Sequence, residues 1–163
     1  MEKVELNKDV KLSQHFLLGE LCKTSVKTAG NNIPSHVAIE NLKNLCENWL
    51  EELRENYNLI YEGVGDCKGD EPIIITSGYR SPEVNKAVGG SPTSNHLTGC
   101  AVDIRCAGIE QALRYANILM DIADGTKRDY DELFIERSKQ GRYWIHFAVR
   151  PKDNRRKTAF IQT

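Results

Sequence analysis

The sequence predicts an α+β fold in which helices pack against a small antiparallel sheet. Two long segments, residues 35–56 and 108–124, carry apolar side chains at helical spacing. A short apolar, β-branched run occupies 73–76, CAVDIR at 100–105 reads as a second strand, and residues 131–149 alternate as a β-hairpin does. Helices come first and the strands gather around one candidate site, which suggests an α+β fold with an antiparallel sheet.

The predicted helices of the N-terminal third differ in the strength of their signals. Residues 12–24, LSQHFLLGELCKT, are predicted to form a short helix after a Ser13 cap. Residues 35–56 give a clearer signal, because Ser35 can cap the helix and one face is apolar throughout. That face consists of Val37, Ile39, Leu42, Leu45, Cys46, Trp49, Leu50 and Leu53.

The middle of the chain predicts two strands, a short helix and a long one. Residues 73–76, IIIT, read as a buried strand, and a short helix starts around Pro82 and stops at a Gly-Gly pair. CAVDIR, residues 100–105, is predicted to be the second strand. A second strong helix is predicted over 108–124, and one of its faces carries Ile109, Ala112, Leu113, Ala116, Leu119, Met120 and Ala123.

The hairpin predicted for residues 131–149 has a register that can be derived from its pattern. Its core face carries Leu133, Ile135, Ile145, Phe147 and Val149. If these side chains share one face, the residue numbers of each cross-strand pair must add up to an even number. A three-residue loop that ends in a left-handed Gly141 gives that register. Phe134 then lies opposite His146 and Glu136 opposite Trp144. His146 and Glu136 should therefore lie on the same face, away from the core.

Composition and charge restrict the function. The 163 residues predict a single domain over 1–163, with a core over about 12–149 and a basic tail, 150–163, that is expected to be a solvated end. A net charge of −1 does not favour a nucleic-acid partner, and no apolar stretch predicts a membrane span. The N-terminus lacks the apolar run of a secretory signal, so a cytoplasmic location is expected. The five cysteines form no CxxC pair and are expected to be reduced.

Two histidines and one aspartate are candidate metal ligands. His96 precedes Asp103 by seven residues, and His146 lies on the last predicted strand. Two imidazoles and one carboxylate are a ligand set of catalytic zinc, which keeps a fourth position open for water. A nearby carboxylate must accept the proton of that water, and the hairpin register offers Glu136. On spacing alone, however, a single histidine on a strand is more often structural.

The residues around these ligands resemble a known family. The pattern S-x-H-x-x-G-x-A-x-D over 94–103 resembles the signature of the zinc D-alanyl-D-alanine carboxypeptidases and related murein peptidases, the LAS metallopeptidases. SGYRS at 77–81, with Asn85 and Gly89-Gly90, and WIH at 144–146 match further blocks of that family. The opening LSQHFLLGEL is similar to a phage-associated branch, so the resemblance runs from about residue 12 to 149.

The resemblance implies a zinc cleft on the predicted sheet, with one catalytic Zn²⁺ bound by His96, Asp103 and His146. It implies that Arg80 reaches into the cleft and holds a substrate carboxylate or polarises the scissile carbonyl. Ser94 is expected either to hydrogen-bond near the metal or substrate or to cap its own loop. Trp144 is expected either to form a wall of the substrate cleft or to pack in an ordinary way.

One position departs from the family pattern. Many members carry the general base three residues before the last histidine, where this chain has Tyr143. We predict that Glu136 replaces it from the adjoining strand, with Glu132 and Asp131 as weaker candidates. Asp131 ranks last because its parity places it on the core face. If no base is present, the chain would be an inactive, zinc-stabilised module that binds cell wall or a protein, and a purely structural phage component is a third interpretation.

The expected function is therefore zinc-dependent hydrolysis of peptide bonds that involve D-amino acids in bacterial peptidoglycan. A D-Ala-D-Ala carboxypeptidase and an endolysin-type endopeptidase both fit this expectation. The expected partner is the peptidoglycan stem peptide, and the chain is expected to be a monomer. As a phage or prophage product, it would act on the wall after release from the cytoplasm.

Overall fold

A five-stranded sheet forms the centre of the computed structural model, which describes residues 5–28 and 30–163. Its strands are β1 Ile75–Ser77, β2 Ala101–Cys106, β3 Glu132–Arg137, β4 Tyr143–Ala148 and β5 Lys157–Gln162. The strand order is β1-β2-β4-β3-β5, and neighbours are antiparallel except for the parallel pair of β3 and β5. The predicted α+β class is confirmed, although the sheet is not wholly antiparallel.

The helices lie at the N-terminus and between the strands. They are α1 Leu18–Leu21, α2 His36–Leu45, α3 Glu51–Tyr61, α4 Pro82–Ala87 and α5 Ile109–Thr126. A π-helical turn, Cys46–Leu50, joins α2 to α3, so that the helix predicted from residue 35 continues to Tyr61. Ser35 caps it as predicted, because its side chain accepts a hydrogen bond from the Ala38 N–H.

The core lies between the long helices and one face of the sheet. Trp49 packs edge-on against Phe147, with ring centroids 5.2 Å apart. Leu42, Leu45, Leu53, Ile104 and Ile145 are fully buried. Since side chains alternate along a strand, the opposite face of the sheet is left to carry polar groups such as His146.

The hairpin of β3 and β4 has the predicted register. Phe134 pairs with His146 and Glu136 pairs with Trp144. The Ser138 N–H donates to the Arg142 carbonyl at 2.9 Å and closes a three-residue loop. Gly141 ends that loop with a φ of +81°, which is the left-handed conformation that the loop requires.

The helix predicted over residues 12–24 is wrong except for the four residues of α1. Before α1 the chain forms a tight turn, in which the Leu12 N–H donates to the Phe16 carbonyl at 2.9 Å. Both Leu12 and Phe16 are buried, so tertiary packing outweighs their helical spacing. Ser13 is no cap, because its hydroxyl donates to Glu51 at 2.6 Å.

The basic tail is not only a solvated end, because its last part is the edge strand β5. Lys157–Gln162 pairs with all six residues of β3, from Glu132 to Arg137. Just before it, Arg155 forms an ion pair with the fully buried Asp131 at 2.8 Å. The five cysteines are buried and free. Among the described residues, no helix combines the length and the apolar character that a transmembrane span needs.

Candidate metal centre

A capped 3₁₀ helix, Asn95–Thr98, presents the first candidate ligand, His96. The Ser94 hydroxyl accepts the His96 N–H at 3.2 Å and so caps this turn, and Ser94 also lines the cavity over the cluster. Gly99 ends the turn with a φ of +72°, and a Cβ there would overlap the Ala38 carbonyl oxygen. The chain then enters β2, which carries Asp103.

Strand pairing brings the other two candidates together. Asp103 on β2 lies directly opposite His146 on β4, so the two side chains are neighbours on one face. The Oδ1 atom of Asp103 lies 3.2 Å from His146 Nδ1 and 3.4 Å from His96 Nε2. One ligand atom from each of the three residues lies within 4.8 Å of the others.

These separations fit a tetrahedral ion. Two ligand atoms that are each about 2.0–2.1 Å from a tetrahedral Zn²⁺ lie about 3.3 Å apart. The remaining nitrogens are engaged elsewhere: His96 Nδ1 lies 2.6 Å from the Gly78 carbonyl oxygen and His146 Nε2 lies 3.2 Å from Glu132 Oε1. Such partners fix the orientation of metal-binding imidazoles, so His96 Nε2 and His146 Nδ1 are left for the metal.

The charges of the cluster hold a proton on His146 in the absence of a metal. Burial alone would raise the pKa of Asp103, but His96 and His146 outweigh burial and hold that pKa well below its usual range. Burial alone would lower the pKa of His146, but hydrogen bonds from its ring to Asp103 and Glu132 raise the pKa to about 9. The metal-free protein therefore keeps a proton on His146 at neutral pH, and a bound metal must displace it.

Glu132 connects the cluster to the tail. Its carboxylate accepts a hydrogen bond from the Asn95 amide at 2.7 Å, and the hydrogen bond with His146 lowers its pKa. The same amide nitrogen donates to the buried Asp131 at 2.9 Å. Arg155 donates to both oxygens of Asp131, at 2.9 and 2.8 Å. Glu132 thus makes orienting contacts with His146 and Asn95 while it also lines the cavity, and Asp131 is held by Asn95 and Arg155.

Glu136 lies on the same face of the sheet as His146. The Trp144 indole N–H donates to its carboxylate. Burial and the nearby Asp103 raise the pKa of Glu136 above its ordinary value. A half-buried carboxylate with a raised pKa suits proton transfer near neutral pH.

Tyr143, at the position where relatives carry the base, faces the other way. It lies on β4 with the parity of Ile145 and Phe147 and packs against the core. In a regular strand, residues three apart point to opposite faces. An acidic residue at 143 would therefore point away from His146 in this chain, whereas Glu136 on β3 shares its face.

Arg80 contacts the cluster directly. Its Nη2 atom donates to Asp103 Oδ2 at 3.1 Å and its Nε donates to the Ser77 hydroxyl at 3.0 Å. The guanidinium thus binds the carboxylate oxygen that is turned away from the two imidazoles.

A cavity of about 440 Å³ opens over the cluster. It is lined by Arg80, Gly90, Ser91, Thr93, Ser94, Asn95, His96, Asp103, Glu132, Phe134, Glu136, His146, Arg155, Lys157 and Ile161. Trp144 is not among the described residues that line it, so its observed contact is the one with Glu136.

A family model described as Peptidase M15 matches residues 14–130. The chain belongs to the peptidase M15 family. None of the curated proteins compared with the chain matches it. The M15 match includes His96 and Asp103 but ends before His146, so the third ligand is supported by the geometry of β4.

Membership of the M15 family makes the chain a zinc-peptidase relative, and the cluster of His96, Asp103 and His146 is a possible site for the ion. The structure brings together all three predicted ligands and places Arg80, Ser94 and Glu136 around the same cavity. Their roles in catalysis and substrate binding remain predictions.

The sequence interpretation missed the orienting contacts of Glu132, Asn95 and Gly78. One signal was available for Glu132, which has the same strand parity as His146 and lies diagonally opposite it. No comparable signal exists for the Gly78 carbonyl, because its contact with His96 depends on the path of the backbone between two distant segments.

Proposed function

We propose that the chain is a zinc peptidase that hydrolyses peptide bonds involving D-amino acids in bacterial peptidoglycan. The observation that carries the proposal is a three-ligand cluster and a separate carboxylate, Glu136, on one open cavity. Three protein ligands with space beside them are typical of catalytic zinc, whereas structural sites are closed by four. Membership of the M15 family supports the reaction class.

The proposed chemistry divides the work among a few side chains. Bound zinc would polarise the scissile carbonyl and make water a better nucleophile near neutral pH. Glu136 accepts a proton from the attacking water and passes it to the leaving amine. The Trp144 indole stabilises the ionised form of Glu136 and fixes its orientation.

Arg80 completes the proposed site. It fixes Asp103 through Oδ2, and its position on the cavity lets other N–H groups stabilise the oxyanion or a substrate carboxylate. Carboxypeptidase and endopeptidase activities both fall within the proposal. The stem peptide is the proposed partner, the chain is proposed to act as a monomer, and a phage or prophage source belongs to the same proposal.

The competing function is an inactive, zinc-stabilised module that binds cell wall or a protein. Tyr143 is the observation that favours it, because the usual base is missing at that position. The carboxylate of Glu136 on the cavity favours the peptidase.

The test is release of amino groups from purified peptidoglycan by zinc-loaded wild type and by Glu136→Gln. Glu55→Gln is the matched control, since Glu55 is an exposed glutamate of α3. We expect wild type and the control to cleave, and Glu136→Gln to lose at least about a hundredfold in rate while it still binds zinc. Zinc-loaded wild type that releases nothing from any wall preparation would overturn the peptidase and favour the binding module.

A further inference from the structure

The edge strand β5 extends the face of the sheet that carries the metal cluster. Its parallel register places Lys157 beside Glu132, Ala159 beside Phe134 and Ile161 beside Glu136. Paired residues of neighbouring strands point to the same face, so these three β5 side chains share the face of the cluster. Lys157 and Ile161 do line the cavity.

Lys157 differs from the other two cations of this cavity. Arg80 is paired with Asp103 at 3.1 Å, and Arg155 is paired with Asp131 at 2.8 Å. Among residues 5–28 and 30–163, by contrast, no carboxylate oxygen lies within 4.0 Å of the Lys157 amine.

The carboxylate beside Lys157 is engaged elsewhere. Glu132 directs Oε1 to the Asn95 amide and to His146 Nε2, at 2.7 and 3.2 Å. Its other oxygen lies 3.7 Å from Arg155. Lys157 is therefore a cation on the cavity that is available to a ligand.

The position of Lys157 sets the reach of such a ligand. Across the sheet, β5 lies two strands from β4, a distance of about 9.6 Å. Along the strands, Lys157 lies two residues, about 6.7 Å, from Ala159, which is level with Phe134 and His146. The two Cα atoms are then about 12 Å apart, and the flexible lysine side chain shortens the gap to the metal cluster. An extended peptide advances about 3.3–3.6 Å per residue.

We propose that Lys157 binds a carboxylate of the peptide substrate, within about three residues of the scissile bond. Phe134 and Ile161 lie on the neighbouring part of the cavity and contact the aliphatic part of the same substrate residue. This inference rests on the proposed function, because that function is the reason for taking the ligand to be a peptide. It assigns a substrate subsite to a strand that lies outside the region matched to the M15 family.

The test compares binding to two forms of one polymer. Purified peptidoglycan is used as it is and after its free carboxylates have been converted to carboxamides with carbodiimide and ammonia. Zinc-loaded wild type, Lys157→Met, Lys157→Arg and Lys152→Met are mixed with each form, and bound protein is measured by sedimentation. Lys152→Met is the matched control, because Lys152 is an exposed lysine of the same tail that is not among the described residues lining the cavity.

We expect wild type and Lys152→Met to bind the amidated polymer about tenfold more weakly than the native one. Lys157→Met should bind the native polymer more weakly than wild type and show a smaller preference for it, since Arg80 then remains to bind a substrate carboxylate, and Lys157→Arg should restore the full preference. The inference is overturned if Lys157→Met keeps the wild-type preference, if Lys152→Met loses as much, or if wild type shows none. Equal zinc content and equal melting temperatures exclude misfolding as the cause of any loss.

Amino-group release measured on the same samples separates this inference from the proposed function. Binding that depends on Lys157 without any release would contradict the peptidase but support the carboxylate subsite. Release that is unaffected by Lys157→Met, together with unaffected binding, would support the peptidase and refute the subsite.

Discussion

Replacing Glu132 by glutamine is expected to weaken zinc binding in a way that depends on pH. Glu132 lies 3.2 Å from His146 Nε2 and is held by the Asn95 amide. Loss of such a partner of a metal-binding histidine lowers metal affinity by about 10–100-fold, or about 1.4–2.8 kcal/mol. Glutamine has nearly the same shape, so the variant removes the charge and leaves the packing intact.

The pH dependence follows from the proton on His146. Asp103 and Glu132 raise its pKa to about 9 against the effect of burial, so that at pH 7 zinc must displace a proton. The apparent zinc affinity of wild type should rise about tenfold per pH unit from about pH 6 to 8. Without the charge of Glu132 the pKa of His146 falls, and competition from the proton becomes weaker. The deficit of Glu132→Gln should therefore be largest at high pH and shrink as the pH is lowered.

The assay is competition for zinc with a chromophoric chelator over about pH 6 to 8.5, combined with calorimetry in two buffers of different ionisation enthalpy. Calorimetry counts the protons released, and His146 should contribute about one in wild type near pH 7 and fewer in Glu132→Gln. Glu55→Gln, on the exposed side of α3, should behave as wild type. An equal deficit at every pH with an unchanged proton count would refute the claim that Glu132 acts through His146.

Three further predictions test other parts of the site. Gly99→Ala should lower the free energy of unfolding by at least about 1 kcal/mol, because Gly99 has a φ of +72° and a Cβ would meet the Ala38 carbonyl. Urea unfolding measures this loss, and an unchanged midpoint would contradict the prediction. Trp144→Phe removes a hydrogen bond that favours ionised Glu136, so the pKa of Glu136 should rise. The acidic limb of the pH profile of kcat/KM should then move up by about one pH unit at constant zinc content. A limb that stays in place would contradict the role of the Trp144 contact. Chelation of zinc should lower the melting temperature reversibly. An ion that binds only the folded state, at a thousandfold excess over its Kd, stabilises that state by about 4 kcal/mol. Recovery of the melting temperature with magnesium instead of zinc would argue against a site of nitrogen ligands.

The parts of the fold that could be predicted depend on contacts between neighbouring segments. The register of the β3–β4 hairpin follows from strand parity and one left-handed glycine, Gly141, because a short loop restricts the possible pairings. The helix from Ser35 follows from its cap and its apolar face. Both signals are contained within fewer than thirty residues of sequence.

The parts that were missed depend on distant contacts. β5 pairs in parallel with β3 across the whole hairpin, and its sequence, KTAFIQ, carries only a weak alternation. The turn before α1 is stabilised by burial of Leu12 and Phe16, which have a spacing that also fits a helix. Tertiary packing decided both cases against the local pattern.

In the candidate site, too, some features could be predicted from local sequence and others could not. His96, Asp103 and His146 stand out in the sequence through the residues that flank them, and strand parity places Glu136 on their face. The alternation of side chains along β3 places Glu132 on the same face as Glu136, so it cannot show which of the two is the base and which orients His146. That distinction depends on the rotamer of His146, which turns Nε2 towards Glu132 and Nδ1 towards Asp103.

We propose Glu136 as the general base of a zinc peptidase. The most direct test of this proposal is the release of amino groups from peptidoglycan by zinc-loaded wild type and Glu136→Gln, with bound zinc measured in both. We expect wild type to cleave, and we expect the variant to retain its zinc but to lose at least about a hundredfold in rate. Cleavage by Glu136→Gln at the wild-type rate would contradict the assignment of the base, and a zinc-loaded wild type without any activity on the wall would contradict the peptidase itself.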